Sequence, residues 1–275
     1  MNALLRLVKR MAVIVFLFYA MLLVTLYAFQ RSMMYFPLKG VKPPAEYGLS
    51  GFSDVTLTTK DNVRVTAWAH AAEPGFPTVV FFHGNGGNIS NRVDLLRAFT
   101  DAGYGMFSLD YRGYGNSEGT PSETGIYLDA HAAITYVSEK MQVPDGKMIF
   151  YGESLGTGVA VEMATQYQAG MVVLQSPYLS ITIRASESYS YVPVSLLLKD
   201  RFDSVSKMGK LKSPLLIFHG DIDTIIPIAH GKALLAAAVE PKEAVYFPNV
   251  GHVEFEAPVL VERVSDFAKR TKLLP

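Results

Sequence analysis

Short, mostly apolar segments alternating with longer helical patterns limit this chain's fold more than any other feature. Thr78–Phe82 reads TVVFF, and Gly105–Leu109, Lys147–Tyr151, Met171–Gln175, Leu215–His219 and Ala244–Phe247 are of the same kind. Each is too short for a core helix and too evenly apolar for a strand with one wet face, so each reads as a strand covered on both sides. Helices are expected between them: from about Asn91 with Ser90 as N-cap, over residues 155–166 and 229–239, and from about Pro258 to the end. Thr120-Pro121-Ser122-Glu123 reads as a capping box with proline at the first helical position, opening a helix that runs to about Lys140. Ahead of these, residues 54–59 and 63–71 flank an Asp61-Asn62 turn and predict a hairpin. The alternation implies a mostly parallel sheet with helices on both faces. Residues 178–212 break the rhythm without a clear strand. They lie on the side where open α/β sheets bind ligands, and are expected to form a short, partly helical cap.

The second constraint is the run Ala12–Phe29, AVIVFLFYAMLLVTLYAF, which carries no charge. It is long enough to cross a bilayer with slight tilt and has no polar face, which argues against a core helix. Tyr27, Phe29 and Gln30 make a poor cleavage site, which argues against a removed signal peptide. The expected organisation is a membrane anchor over residues 1–30, a proline-containing connector over 31–48 and a catalytic domain over 49–275. Every candidate functional residue lies after Gly48, so a chain beginning near Tyr47 is expected to fold and act. Lys9 and Arg10 sit tight against the run. By the positive-inside tendency they put the N-terminus in the cytoplasm and the domain on the non-cytoplasmic side.

The chemistry centres on Gly152-Glu153-Ser154-Leu155-Gly156. A strand is expected to end at Tyr151 and a helix to begin after Ser154, the context in which G-x-S-x-G thrusts a serine hydroxyl out on a strained turn. A serine hydroxyl needs a general base. His252 stands in the expected loop between the last strand and the last helix. The acid should lie between them in the chain, and Gly220-Asp221-Ile222-Asp223 follows a strand. Asp223 is preferred, because the turn should pass Gly220 before a carboxylate can point back across the sheet edge; Asp221 is the alternative and could instead bond the turn's own backbone. For the oxyanion, the N–H groups of Leu155 and of Asn85, in the glycine-rich segment His83–Asn88, are the candidate donors. His83 and His219 read as local loop-holding residues. That segment lacks the lysine of a phosphate loop, and no H-E-x-x-H pattern occurs, so neither a metal nor a cofactor is expected.

These residues together resemble the α/β-hydrolase superfamily, and more narrowly its small membrane-anchored serine hydrolases, the serine-aminopeptidase-like and esterase/thioesterase-like branch. The resemblance rests on HGNGGNIS at 83–90, LDYRGYGNSEGTPSETG at 109–125, GESLGTGVA at 152–160, HGDIDTIIP at 219–227 and NVGH at 249–252. It implies an α/β-hydrolase fold and a Ser154, Asp223, His252 triad that cleaves an acyl bond.

Composition bears on partners. Acidic and basic residues balance at 25 each, which disfavours a nucleic-acid surface, and the absence of cysteine excludes disulfides and a thiolate nucleophile. The expected substrate is a small or lipid-like acyl compound, an ester or thioester, met at a membrane. A peptidase, or a non-catalytic anchored binding domain on the same fold, is the alternative.

Overall fold

A computed structural model describes residues 2–274. It opens with one long helix, α1 (Asn2–Met34), which extends beyond the charge-free run at both ends. A two-residue strand follows, β1 (Phe36–Pro37), and then a single 3₁₀ turn at Pro44–Tyr47. The hairpin is present as β2 (Ser53–Thr58) and β3 (Arg64–His70). Next come β4 (Thr78–Phe82), the short β5 (Gly86–Gly87), α2 (Val93–Asp101) and β6 (Gly105–Asp110). The central part holds α3 (Glu123–Glu139), β7 (Met148–Glu153), α4 (Leu155–Gln166) and β8 (Met171–Gln175). The cap region carries α5 (Ile181–Ser188) and α6 (Val194–Leu197). The chain closes with β9 (Leu215–Gly220), α7 (Ile228–Ala237), β10 (Lys242–Phe247) and α8 (Ala257–Arg270).

Eight strands form one sheet in the order β10-β9-β8-β7-β4-β6-β3-β2. All neighbours pair in parallel except at β3, which runs antiparallel to both β6 and β2. The apolar runs are the buried interior strands: every residue of β4, β6, β7, β8 and β9 is buried. Their side chains alternate between two cores. Phe82, Phe150, Leu174 and Ile217 face one way, packed with residues of α3, α4 and α7. Phe81, Tyr151, Val173 and Phe218 face the other, packed with α2 and α8. The period of two along each strand thus feeds both layers, and each fully buried aromatic or aliphatic side chain contributes about 1.5–3 kcal/mol.

Two helix starts differ from the sequence expectation. Asn88, not Ser90, caps the segment before α2: its side chain accepts from Ser90 N, and the first turn over Ile89–Arg92 is 3₁₀. Helix α3 starts after Ser122, whose hydroxyl accepts from the Gly125 N–H, so Thr120 and Pro121 lie outside it. In both cases several small polar residues stand together, and the one that caps is chosen by where the preceding turn delivers it.

The Asp-Tyr-Arg-Gly-Tyr-Gly segment proves to be a structural clamp. Arg112, nearly fully buried, makes hydrogen bonds of 2.8 and 2.9 Å to Asp129 Oδ1 on α3 and of 2.8 and 3.0 Å to Asp61 in the hairpin turn. Its own backbone N–H donates to Asp129 Oδ2 at 2.8 Å. Gly125 is required beside it, since a Cβ there would stand 2.5 Å from Arg112 Cδ. Burial pushes the Asp129 carboxyl up, against the pull of its Arg112 hydrogen bonds. Removing only the arginine would leave that carboxylate buried and unpaired, so Arg112→Leu should cost about 3–5 kcal/mol of stability. Urea unfolding at neutral pH measures it, and a loss below about 1 kcal/mol would mean that water replaces the guanidinium.

Candidate active site

The site forms at the carboxyl ends of the parallel strands. Strand β7 ends at Glu153 and α4 begins at Leu155, so Ser154 occupies the whole turn, with φ 50° and ψ −114°. A non-glycine residue there carries strain of about 1–3 kcal/mol, which the surroundings must hold in place. They do so by close backbone approach. A Cβ on Gly156 would collide with the Phe82 carbonyl at the end of β4, and one on Gly152 with the Gly156 carbonyl. The Ser154 N–H donates to Gln175 O at 2.9 Å, and the Thr157 hydroxyl donates to Ser154 O at 2.7 Å.

His252 arrives from the loop between β10 and α8. Its Nε2 is 2.8 Å from Ser154 Oγ, and its Nδ1 is 2.7 Å from Asp223 Oδ2. The Ser176 hydroxyl donates to the His252 carbonyl and holds the loop from below. Asp223 stands in the turn after β9, where its other oxygen accepts from Ile225 N at 2.9 Å and Ile226 N at 2.8 Å. Burial pushes its carboxyl up, but hydrogen bonds from His219, His252 and the Ile226 N–H outweigh that and hold it well below the usual carboxylate range. The two aspartates separate by geometry. Asp221 Oδ1 accepts from Asn249 N at 2.7 Å, so that carboxylate ties the acid's turn to the histidine's loop rather than meeting the imidazole. His219 donates across the same turn to Ile226 O, at 2.8 Å.

The glycine-rich loop faces the serine from the end of β4: a Cβ on Gly84 would lie 3.4 Å from that of Ser154. His83, fully buried, holds the Gly84 carbonyl at 2.7 Å from Nδ1. A carbonyl only accepts, so the proton is on Nδ1. In a trans peptide the next N–H points the opposite way, so this contact sets the direction of the Asn85 N–H. Asn85 is held from outside as well: its Nδ2 donates to Met34 O at 2.8 Å, and its carbonyl accepts from Tyr114 Oη and from Phe36 N. The Leu155 N–H lies in the first turn of α4, where N–H groups have no acceptor within the helix.

Three contributions escaped the sequence reading. Glu153 Oε1 accepts from Arg92 Nη2 at 2.6 Å and from Gly84 N at 3.2 Å, while Arg92 Nη1 donates to Gly86 O at 2.9 Å. One ion pair therefore joins the strand before the nucleophile to the loop opposite it. Ser176 is the second. The third is the stretch read as a connector. Strand β1 pairs in parallel with β5 of the glycine-rich loop, Leu38 N donates to Gly87 O, and Tyr35 is buried. None of these carries a local signal, because each is polar pairing between segments distant in the chain.

The structure therefore changes the expectation for truncated chains. A chain beginning at Ser32 keeps the Met34–Asn85 and β1–β5 contacts and should hydrolyse a soluble short-chain ester at near the full-length rate. A chain beginning at Tyr47 loses both and should fall on the order of 10²-fold in kcat, the scale of a roughly 1 Å misplacement. Equal rates from the two would remove any role for residues 32–46.

Comparison with known proteins agrees with this architecture. Residues 75–199 match the family model for the serine aminopeptidase S33 hydrolases. The uncharacterized protein Rv2307c of Mycobacterium tuberculosis is 34% identical over 250 residues, covering 89% of each chain. The alpha/beta hydrolase domain-containing protein WAV2 of Arabidopsis thaliana is 30% identical over 256 residues, covering 83% of each. Among solved structures, the Pyrococcus furiosus esterase Pf2001 superposes with a TM-score of 0.70 at 19% identity, covering 86% of this chain and 98% of that one, which speaks to the fold alone. With this sheet order, this turn at Ser154 and these relatives, the chain belongs to the α/β-hydrolase superfamily.

Proposed function

We propose that the protein hydrolyses a carboxylic ester or thioester through an acyl-enzyme on Ser154. The observation that carries this is the continuous relay from Ser154 Oγ to His252 at 2.8 Å and from His252 to Asp223 at 2.7 Å, set on a strained turn. In the first step Ser154 Oγ attacks the acyl carbon while His252 Nε2 takes its proton. Asp223, kept ionised, holds the proton on Nδ1 and stabilises the imidazolium. The Asn85 and Leu155 N–H groups donate to the oxyanion. When the tetrahedral intermediate collapses, the bond to the alcohol or thiol breaks and Nε2 returns the proton to the leaving group. Water, deprotonated by the same nitrogen, then attacks the acyl-enzyme and releases the acid. No cofactor takes part.

An ester or thioester fits better than a peptide with a free amino terminus. Such a substrate needs a carboxylate for its ammonium, and Glu153, next to the nucleophile in the chain, is already paired with Arg92, which leaves the exposed Glu254 after His252 as the carboxylate at the rim. Ser154→Ala should leave the fold intact and lower kcat for a p-nitrophenyl ester on the order of 10⁴–10⁶-fold. Asp223→Asn should cost roughly 10⁴-fold, because it favours the wrong imidazole tautomer, and Asp221→Asn far less. Failure of a fluorophosphonate to label Ser154 would support a non-catalytic binding domain instead.

We further propose that α1 anchors the enzyme in a membrane by a single pass. Its apolar window has a mean hydropathy of 2.5, and none of that window is buried by the rest of the protein. Lys9 and Arg10 keep the N-terminus cytoplasmic and place the hydrolase domain on the other side. Protease added outside sealed spheroplasts should then digest the domain; protection of the domain would reverse the orientation.

A further inference from the structure

Helix α1 and the cap are in contact at a level that is difficult to reconcile with a domain standing clear of the membrane. Tyr19 Oη donates to Tyr191 O at 2.6 Å. Further along, Lys199 Nζ lies over the Tyr27 ring at 4.1 Å, Gln30 Nε2 donates to Leu197 O at 3.1 Å, and Arg31 binds Asp200 at 2.7 and 2.9 Å. Leu22, Leu23, Leu26, Gln30 and Met34 are half-buried at helical spacing, so this one face of α1 meets the cap. Yet Tyr19 lies in the middle of the uncharged run 12–29. At about 1.5 Å per residue it is roughly 15 Å from Phe29, and still roughly 11 Å in depth if the helix tilts by about 40°.

Moving the membrane boundary to Tyr19 does not remove the conflict. From Ala12 to Tyr19 is about 10 Å, a third of a hydrocarbon core about 30 Å thick. The remainder would have to come from a stretch bearing Arg6, Lys9 and Arg10, at about 2.5–3.5 kcal/mol for each charge at the centre. The cap is built for the other solution. From Ser188 to Leu198 it reads SYSYVPVSLLL, without a charge, between Glu187 and Lys199. Tyr189, Tyr191 and Leu196 project outward, Leu196 with 81% of its surface bare. Backbone polar groups in lipid need partners within the protein. Here the N–H groups of Tyr189, Val192, Val194, Leu196 and Leu198 bond within the segment or to α5, Pro193 has none, and the carbonyls of Tyr191 and Leu197 are taken by α1 side chains.

A cavity of about 390 Å³ lies between the two elements, within the range of small-molecule sites. Its walls are mostly apolar or aromatic, among them Leu26, Met33, Ile181 and Val192, with Gln30, Arg184 and Ser188 as the polar lining. Two of its lining residues adjoin the reaction centre: Met34, whose carbonyl accepts from Asn85, and Ile225, whose N–H donates to Asp223.

We propose that residues 188–198 lie in the hydrocarbon of the leaflet on the domain's side, and that the cavity behind them takes an acyl chain of a lipid ester directly from that leaflet. The proposal rests on the reading of α1 as a span and of Ser154 as nucleophile, and names the substrate class for that site. The chain has no cysteine, so single cysteines can carry a fluorescent probe at will. Full-length Leu196→Cys, Phe16→Cys in α1 and Lys140→Cys at the far end of α3 are labelled with an environment-sensitive nitrobenzoxadiazole. They are then reconstituted in phosphatidylcholine vesicles bearing nitroxide on the acyl chains. Position 196 should be quenched as strongly as position 16, with position 140 unaffected. Quenching at 16 without 196 overturns the insertion while leaving the span intact; quenching at neither overturns both. A label at 196 shielded from water but not quenched would put a second protein on this face and overturn it as well. For the cavity, a long-chain alkyl fluorophosphonate dissolved in the vesicles should label Ser154 roughly tenfold or more faster than a short-chain one, since each added methylene is buried. Equal rates overturn the acyl-chain site while keeping the nucleophile.

Discussion

Everything at the reaction centre depends on the close passage of α4 under the end of β4. Gly156 permits it, since any side chain there would strike the Phe82 carbonyl. That contact presses the first turn of α4 against the strand end from which the glycine-rich loop departs. It therefore sets two things at once, the forced conformation of Ser154 and the distance between its hydroxyl and the Gly84–Asn85 peptide. Strain at one residue persists only when its neighbours over-determine it. Here the neighbours are five fully buried strands, so the serine cannot relax without moving a core packed on both faces.

Around this fixed point the protein spends its buried charge on joining loops. Arg92 with Glu153 couples the loop facing the serine to the strand behind it. Arg112 with Asp129 and Asp61 couples the loop after β6 to α3 and the hairpin. Arg31 with Asp200 couples α1 to the cap, and Asp200 also accepts from the first N–H of α3. A loop has little apolar area with which to hold its shape. A bidentate, partly desolvated arginine pair supplies direction as well as energy, and each is costly to break singly. The histidine's loop is held without an arginine, by the Ser176 hydroxyl below and the Asp221 carboxylate on Asn249 N beside it, while Asp223 meets the imidazole.

The helix at the N-terminus is part of this design. Its final turn hands a carbonyl to Asn85, and the next residues add a parallel strand to the same loop. The element that would sit in the membrane is thus one hydrogen bond from the element that would stabilise the oxyanion, and the cap lies against α1. If α1 spans a membrane as proposed, the contacts that shape the site would also turn it toward the bilayer.

The sequence by itself pointed to the sheet, its two covering layers, the uncharged helix, and Ser154, His252 and an aspartate after β9 as the candidate site residues. Those follow from local periodicity, from turn chemistry at glycine and from the order in which strands end, all carried by neighbouring residues. It left Asp221 beside Asp223 as an open alternative. That choice was made only by the fold, which turns one carboxylate to a backbone N–H and the other to an imidazole. It misplaced two helix caps, where several small polar residues compete and the preceding turn decides among them. It took residues 31–48 for a connector, because three prolines and two glycines look like a linker when the strand they pair with lies far along the chain. Arg92, Glu153 and Ser176 were invisible for the same reason: a polar contact between distant segments leaves no periodic trace, and only the tertiary structure brings its halves together.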